Sequence, residues 1–210
     1  MSRLSCIYED GRGIRDVNFQ LYAGELLVLT GPVASGKSSI LNALFGIVPA
    51  SFQEILWNGK EVPNLFTLFK APTVSCCLKS SHLLNGTIRE NLTLGRNISD
   101  IECWKALQSA CMEREVKEWP GGLDTLTGEN GIMLSGGQKQ RLLFARMLLE
   151  HPSLYFLDDA TSALDRITAE KLNFNLKQRI IQDNAAAVFI SNSEVVKAAA
   201  DRELCISQGA

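Results

Sequence analysis

Four short runs of apolar residues along the chain lack the polar alternation of half-exposed strands. They are LLVLT (residues 26–30), VSCCL (74–78), LYFL (154–157) and AVFIS (187–191). Uninterrupted apolar runs of this length are typical of strands covered on both faces, as in a parallel sheet flanked by helices. The pattern therefore predicts an α/β fold with a mainly parallel sheet.

Helical patterns lie between these runs. Ser99 and Glu102 form a capping-box pattern, and one predicted helix face follows it: Ile101, Trp104, Leu107 and Cys111. A second helix is predicted over residues 137–150, ending at His151–Pro152, and a third over 166–182.

The N-terminal stretch GIRDVNFQLYAGELLVLT differs because it alternates, with a turn signal at Ala23–Gly24. It predicts antiparallel strands. Residues 86–150 hold helical patterns and no convincing strand, which indicates an inserted helical lobe. We expect one domain of 210 residues, with a core and β subdomain at 1–85 and 151–210 and the lobe at 86–150.

Composition narrows the class of protein. Apolar residues make up 46% of the chain and the net charge is −2, which excludes disorder and gives no general affinity for polyanions. The six cysteines have no metal-site spacing and are expected to be reduced core thiols in the cytosol. No signal peptide and no apolar run of ~18 residues occurs, so membrane spans would belong to another segment or subunit.

The segment GPVASGKSS (31–39) matches the pattern G-x-x-x-x-G-K-[ST]. It follows a predicted strand and precedes an apolar helix, the context in which such a loop binds phosphates through inward-facing amides and a helix N-terminus. We expect Lys37 to contact the β- and γ-phosphates, and Ser38 and Asp158 to hold Mg²⁺. The predicted contact residues are Gly31, Ala34, Ser35, Gly36, Lys37, Ser38 and Ser39.

A second anion site is predicted in LSGGQKQRLLFARMLL (134–149), where small residues and free amides lie at a helix start. Its residues are Leu134, Ser135, Gly136, Gly137 and Gln138. One chain with two such sites could bind two anions or contribute one site to a partner.

These motifs resemble the ATP-binding domain of ABC transporters over nearly the whole chain. GTIREN (86–91) is similar to a stretch of exporter-type domains, SALD (162–165) resembles their D-loop with Asp165, and ADRELCISQGA (200–210) resembles their closing strand. GPVASGKSS and the adjacent Asp158 and Asp159 look most like the first ATP-binding domain of the multidrug-resistance-protein and chloride-channel branch.

The resemblance implies a head-to-tail pair of domains, with each ATP and its Mg²⁺ between the P-loop of one and the LSGGQ of the other. It also implies transmembrane partner domains, a place at the cytoplasmic face of a membrane, and an aromatic residue stacked on adenine, for which Tyr8 is the candidate. An edge tyrosine without that role is an open alternative. Nucleic-acid binding is not expected, because no basic patch or charged insertion is present.

Three positions differ from the family pattern. Asp159 stands where the family has a glutamate that polarises water, Lys79 where it has the loop glutamine, and Asn192 where it has a histidine at the γ-phosphate. Each position also has a structural alternative: Asp159 as a helix N-cap, Lys79 as a solvated loop lysine and Asn192 as a turn residue. Together they predict a degenerate site that binds ATP but hydrolyses it weakly or not at all, beside a non-identical partner.

Two other functions remain open at this point. An ATP-gated regulatory domain of an ABC-type channel would carry the same motifs. A soluble ABC ATPase is the third possibility, although it predicts basic insertions that are missing here.

Overall fold

The computed structural model describes residues 1–64 and 68–207. The strands are β1 (Leu4–Ile7), β2 (Gly13–Val17), β3 (Leu26–Thr30), β4 (Leu56–Trp57), β5 (Lys60–Glu61), β6 (Val74–Cys77), β7 (Leu154–Asp158), β8 (Ala186–Ile190) and β9 (Arg202–Cys205). The α-helices are α1 (Lys37–Leu44), α2 (Ile88–Thr93), α3 (Asp100–Ser109), α4 (Glu113–Glu118), α5 (Gly136–Leu148), α6 (Arg166–Gln182) and α7 (Glu194–Ala199). Short 3₁₀ turns occupy Gly122–Asp124 and Glu129–Gly131.

Five parallel strands form the central sheet in the order β6-β7-β8-β3-β9. The four apolar runs of the sequence all become strands of this sheet, with ends within one residue of the prediction. Every position of β3, β7 and β8 is buried, which confirms that helices or other elements cover both faces. The strand β9 lies at the edge, as the resemblance implied for 200–210, although residues 208–210 lie outside the described part.

Alternate residues of β3 enter two separate cores. Leu26 and Val28 pack with the helical lobe, whereas Leu27 and Leu29 pack with α1 and the N-terminal strands. This is the period of two that a pleated strand imposes. The sheet therefore joins the lobe on one face to the phosphate-loop helix on the other.

The prediction for the N-terminal region is only partly correct. The strands β1 and β2 pair antiparallel, and β4 and β5 form a further antiparallel pair. The turn at Ala23–Gly24 is present, but β3 on its far side joins the parallel sheet and does not pair with β2. The reason is burial, since a strand that is buried at every position needs cover on both faces.

Between β6 and β7 the described residues form helices α2 to α5, the two 3₁₀ turns and one isolated bridge. The predicted capping box exists: the Ser99 hydroxyl accepts from the Glu102 amide at 3.3 Å, and the Glu102 carboxylate accepts from the Ser99 amide at 3.0 Å. The predicted apolar face is shifted. Ile101 is exposed, and the buried residues of α3 are Cys103, Ala106 and Leu107.

The cysteines are all free, but not all of them lie in the core. Cys6, Cys77 and Cys103 are buried, whereas Cys76 and Cys205 are exposed. Cys76 lies on β6 and Cys205 on β9, the two edge strands of the sheet.

A buried asparagine holds the start of the lobe. Asn91 is fully buried, and its side-chain oxygen accepts from the Leu84 amide at 2.8 Å and from Arg146 at 2.7 Å. Its amide group donates to the carbonyls of Leu84 and Thr87, each at 3.0 Å. Arg146 also donates to the Asn91 and His82 carbonyls. This network connects α5 with α2 and with the loop after β6.

Replacement of Asn91 by Ala is expected to destabilise the fold by about 3 kcal/mol, because it leaves several buried donors and acceptors unpaired. Urea denaturation followed by circular dichroism measures this. Asn97→Ala is the matched control, since Asn97 is exposed and its loss should change stability by less than about 0.5 kcal/mol. Equal midpoints for the two variants would contradict a structural role for the network.

Candidate nucleotide-binding site

The loop between β3 and α1 has a backbone that only glycine permits at two positions. Gly31 has φ +140°, and a Cβ there would lie 2.2 Å from the Ile206 carbonyl oxygen. Gly36 has φ +94°, and a Cβ there would lie 2.5 Å from Ile14. Between them Ala34 is left-handed and exposed while Ser35 is buried. The loop therefore lies close to the residue after β9 at its start and to β2 at its end, with α1 beginning directly after Gly36.

Lys37 lies across this loop. Its ammonium donates to the carbonyl oxygens of Gly31 at 2.7 Å and Pro32 at 2.6 Å, with the Ser35 hydroxyl at 3.4 Å. An ammonium group has three donors. To contact an anion, the Lys37 ammonium must therefore give up one of its hydrogen bonds to the loop. Its positive charge already lies within the loop.

Ser38 and Asp158 come together from different elements. The Ser38 hydroxyl donates to the Asp158 carboxylate at 3.3 Å, joining the first turn of α1 to the carboxyl end of β7. Burial raises the pKa of Asp158, and the adjacent Asp159 adds to that rise, whereas the Ser38 hydrogen bond and the charges of Lys79 and Lys37 oppose it. Two hard oxygen donors beside a phosphate loop fit Mg²⁺, which uses one or two protein oxygens and completes its shell with phosphate and water.

Asp159 follows directly and has a left-handed backbone, φ +50°. Its amide donates to the Ile190 carbonyl at 3.0 Å. Asp and Asn are the non-glycine residues that best tolerate this conformation, so the backbone supplies its own reason for a short acid here. Lys79 is exposed in the loop after β6, and its positive charge opposes the rise in the pKa of Asp158.

Asn192 lies beyond β8, at the same edge of the sheet. Its carboxamide accepts from the Gly31 amide at 3.1 Å and donates to the Gly31 carbonyl at 2.9 Å. The structural alternative from the sequence, a turn residue, does not describe this contact: Asn192 is bonded to Gly31, 161 residues away in the chain.

The second predicted anion site begins α5. Ser135 caps this helix by accepting from the Gln138 amide at 3.2 Å, while the Gln138 side chain accepts from the Ser135 amide at 2.9 Å. The amide group of Gln138 donates to Glu115 of α4 at 3.0 Å, and Glu115 also forms an ion pair with Arg141. Leu134, just before the cap, is buried. The helix start is thus held in place from its side.

The small residues at this helix start have a packing role. A Cβ on Gly137 would lie 3.2 Å from the Ala163 carbonyl oxygen, whereas one on Gly136 would meet only the Ala163 side chain at 3.6 Å. Asp165 ends the neighbouring loop and caps α6, accepting from the Thr168 amide at 3.0 Å.

Sequence reasoning missed Gln140. Its side chain donates to the Asp159 carbonyl at 3.3 Å and to the Ser162 hydroxyl at 2.9 Å, and it accepts from the Ala163 amide at 2.8 Å. The signal was present, because Gln140 lies one turn after Gly136 on the same helix. Gln140 fastens the second anion site to the loop that begins at Asp159.

Tyr8 lies on the wall of a cavity of about 350 Å³ together with the phosphate loop. Asp10 and Arg12 of the adjacent turn also line it and form an exposed ion pair. The structure therefore brings the predicted aromatic residue to the same cavity as Ser35, Lys37 and Ser38, although sequence reasoning missed Asp10 and Arg12.

Within residues 1–64 and 68–207, no hydrogen bond joins the phosphate loop to Leu134 or to the helix start that follows it. Each of the two predicted anion sites is built by its own contacts. In the same residues, no helix combines the length and the hydrophobicity needed to cross a bilayer.

Comparison with known proteins identifies the family of this arrangement. The family profile described as ABC transporter matches residues 14–162. The chain is 37% identical over 173 residues to the Bacillus subtilis ABC transporter ATP-binding protein YwjA, a match that covers 81% of this chain and 30% of that protein. It is 34% identical over 205 residues to the mitochondrial iron-sulfur clusters transporter ATM1 of Kluyveromyces lactis, covering 97% of this chain and 28% of the relative.

Two further similarities agree. The ATP-dependent lipid A-core flippase of Photobacterium profundum is 34% identical, with 96% of this chain and 34% of the flippase covered. A solved structure of a bacterial Atm1-family ABC exporter with ATP bound superposes with a TM-score of 0.87 at 27% identity, covering 99% of this chain and 38% of that one. The similarity is to Atm1-type exporters and does not single out the multidrug-resistance-protein branch expected from the sequence. The chain spans about a third of these relatives' length.

Proposed function

The chain belongs to the ABC transporter family as an exporter-type ATP-binding domain, and from this premise we propose how it divides the work of ATP binding and hydrolysis with a partner. In the proposal, it pairs head to tail with a second ATP-binding domain at the cytoplasmic face of a membrane. Transmembrane domains, in the same or an associated chain, carry the transported molecule.

The observation that carries the proposal is that two predicted anion sites in one chain are each built by their own contacts. Lys37, Ser38 and Asp158 gather at one edge of the sheet, while Ser135 and Gly136 begin another helix with contacts of their own. The first group would bind ATP with Mg²⁺. The second, which that ATP does not need, would complete the nucleotide site of the partner domain.

At its own phosphate loop the domain would bind ATP and hydrolyse it slowly. A positioned general base contributes roughly 10²–10⁴-fold to a rate, and a misplacement of about 1 Å can remove ~10²-fold. Asp159 is one methylene shorter than a glutamate, and Lys79 places a fixed charge near the metal carboxylate. Tyr8 would contact the adenine from the cavity wall, and calorimetry of Tyr8→Ala tests that contact.

A non-identical partner is the finer part of the proposal. The similarity to Atm1-type exporters gives it no support, so it depends on Asp159, Lys79 and Asn192 alone. Two copies of this chain would form two weakened sites and no efficient one. An exporter that needs rapid hydrolysis would therefore require a partner with a glutamate after its metal aspartate.

An ATP-gated channel domain of the multidrug-resistance-protein and chloride-channel branch is the second candidate. It draws on GPVASGKSS and on the adjacent Asp158 and Asp159. The relatives found are named as transporters and a flippase, which favours the exporter.

Lys37→Ala is expected to lower ATP affinity at least tenfold, because charge-assisted hydrogen bonds contribute about 1.5–3 kcal/mol. Isothermal titration calorimetry on the isolated domain measures the change. Lys60→Ala removes the same charge from an exposed strand and serves as the control. If both variants bind ATP as the parent does, the loop is not the nucleotide site.

Gly136→Asp is expected to cut hydrolysis at the partner's site at least tenfold, because a carboxylate at this helix start would repel the partner's ATP. ATP binding to the chain's own loop should change less than about twofold, since no hydrogen bond among the described residues joins that loop to the helix start. Labelled nucleotide trapped on each half of the full-length pair distinguishes the sites.

Gly136→Ala is the matched control, as its Cβ meets only Ala163 at an ordinary distance. Gly136 is preferable to Gly137, where any Cβ would press on the Ala163 carbonyl. Release of ATP from the chain's own loop by Gly136→Asp would contradict the head-to-tail arrangement.

Restoration of the family set with Asp159→Glu, Lys79→Gln and Asn192→His should raise hydrolysis at this loop by about 10²-fold, within the range of a positioned base. It is measured in the full-length pair, where an opposing LSGGQ is present. Asp159→Asn in the parent removes the negative charge and leaves the size of the side chain nearly unchanged. A tenfold or greater loss of hydrolysis at this site in Asp159→Asn would show that Asp159 already works as a base, and would overturn the weak-hydrolysis proposal.

A further inference from the structure

The side chain of Asn192 forms a two-point contact with the backbone of Gly31. Its oxygen accepts from the Gly31 amide at 3.1 Å, and its nitrogen donates to the Gly31 carbonyl at 2.9 Å. Only one orientation of the carboxamide satisfies both groups. Asp can provide the acceptor without the donor, and neither Ala nor Ser can span both.

This contact continues the pairing of β3 and β8 beyond their ends. Leu29 is opposite Ile190 in the ladder, and the Ser191 amide still donates to the Leu29 carbonyl at 3.2 Å. Beyond that bond, the Asn192 side chain bonds to the Gly31 amide and carbonyl in the way that the backbone of a neighbouring strand would. The first residue of the phosphate loop is therefore held as if it belonged to the sheet.

Gly31 needs such a restraint more than other residues would. Its φ of +140° is one of many backbone conformations open to glycine, so this residue has much conformational entropy to lose when the loop is ordered. Without an external contact, the start of the loop would sample several backbone states.

The Gly31 carbonyl accepts from two donors, Lys37 at 2.7 Å and Asn192 at 2.9 Å. A carbonyl oxygen has two lone pairs and can hold both. When phosphate attracts Lys37, the bond from Lys37 is the one that must weaken. Asn192 then keeps the carbonyl paired and the loop in shape.

We propose that Asn192 is a positioning residue that latches Gly31 and preserves the curl of the phosphate loop while Lys37 changes partner from loop carbonyls to nucleotide. The inference rests on the proposed ATP site and deepens it. It gives Asn192 a function in binding, distinct from the hydrolytic role of the residue that the family pattern places there. Asn192 is exposed, so the latch can open and close without disturbing the core.

Amide hydrogen exchange of Gly31, measured by NMR without nucleotide, tests the latch directly. Asn192→Ala should accelerate exchange about fivefold, the effect of losing one hydrogen bond of ordinary strength. Asn192→Asp retains an acceptor for the Gly31 amide, so its exchange should stay near that of the parent. Ser193→Ala, which changes the next exposed side chain and removes no helix cap, is the control.

ATP titration of the same proteins gives the second readout. Asn192→Ala should weaken ATP about fivefold through the lost loop geometry. Asn192→Asp should weaken it further, because it loses the donor to the Gly31 carbonyl and adds a negative charge beside the phosphates. The opposite ranking of Ala and Asp in the two measurements is the signature of a two-point latch, and a general loss of structure would not produce it.

Unchanged Gly31 exchange in Asn192→Ala overturns the latch, as does equal acceleration in Asn192→Asp. If Lys37→Ala loses ATP while both Asn192 variants bind like the parent, the latch is wrong and the proposed ATP site stands. If Lys37→Ala binds ATP with the affinity of the parent, the proposed site is wrong. Exchange of the Gly31 amide in the nucleotide-free protein then still decides whether the Asn192 contact restrains the loop.

Discussion

The candidate nucleotide-binding site is assembled by the pairing of β3, β8 and β7 as adjacent parallel strands. Because these strands run in one direction, their carboxyl ends meet at one edge, and the residues after them become neighbours. Gly31 follows β3, Asp158 ends β7 and Asn192 follows β8. The site is therefore a consequence of backbone hydrogen bonding between strands that lie far apart in the chain.

Charge at this edge is balanced within the protein. Lys37 is bonded to loop carbonyls, and Asp158 is buried next to Asp159, with Ser38 and Lys79 opposing the effect of burial on its pKa. A phosphate with its metal would exchange these internal contacts for stronger ones of the same kind. Preorganisation of this sort reduces the reorganisation that binding requires.

The helical lobe is joined to the same edge through Gln140, whose side chain makes three hydrogen bonds with the loop from Asp159 to Ala163. The start of α5 and the carboxyl end of β7 are thus mechanically connected, although no hydrogen bond among the described residues links that helix start to the phosphate loop. In a head-to-tail pair this connection would join a domain's own nucleotide to its partner's.

Local patterns in the sequence predicted the features that depend only on neighbouring residues. Apolar runs located the four inner strands, the spacing of GPVASGKSS located the phosphate loop, and Ser99 with Glu102 located a helix start, because periodicity and capping act over a few residues. Motif resemblance was sufficient for the family but not for its branch. Only the tertiary structure decided that β3 pairs away from β2, that Ile101 faces solvent, and that Asn192 contacts Gly31. Those outcomes depend on which distant segments of the chain contact one another. Packing and long-range hydrogen bonds decide those contacts, and no local pattern contains them.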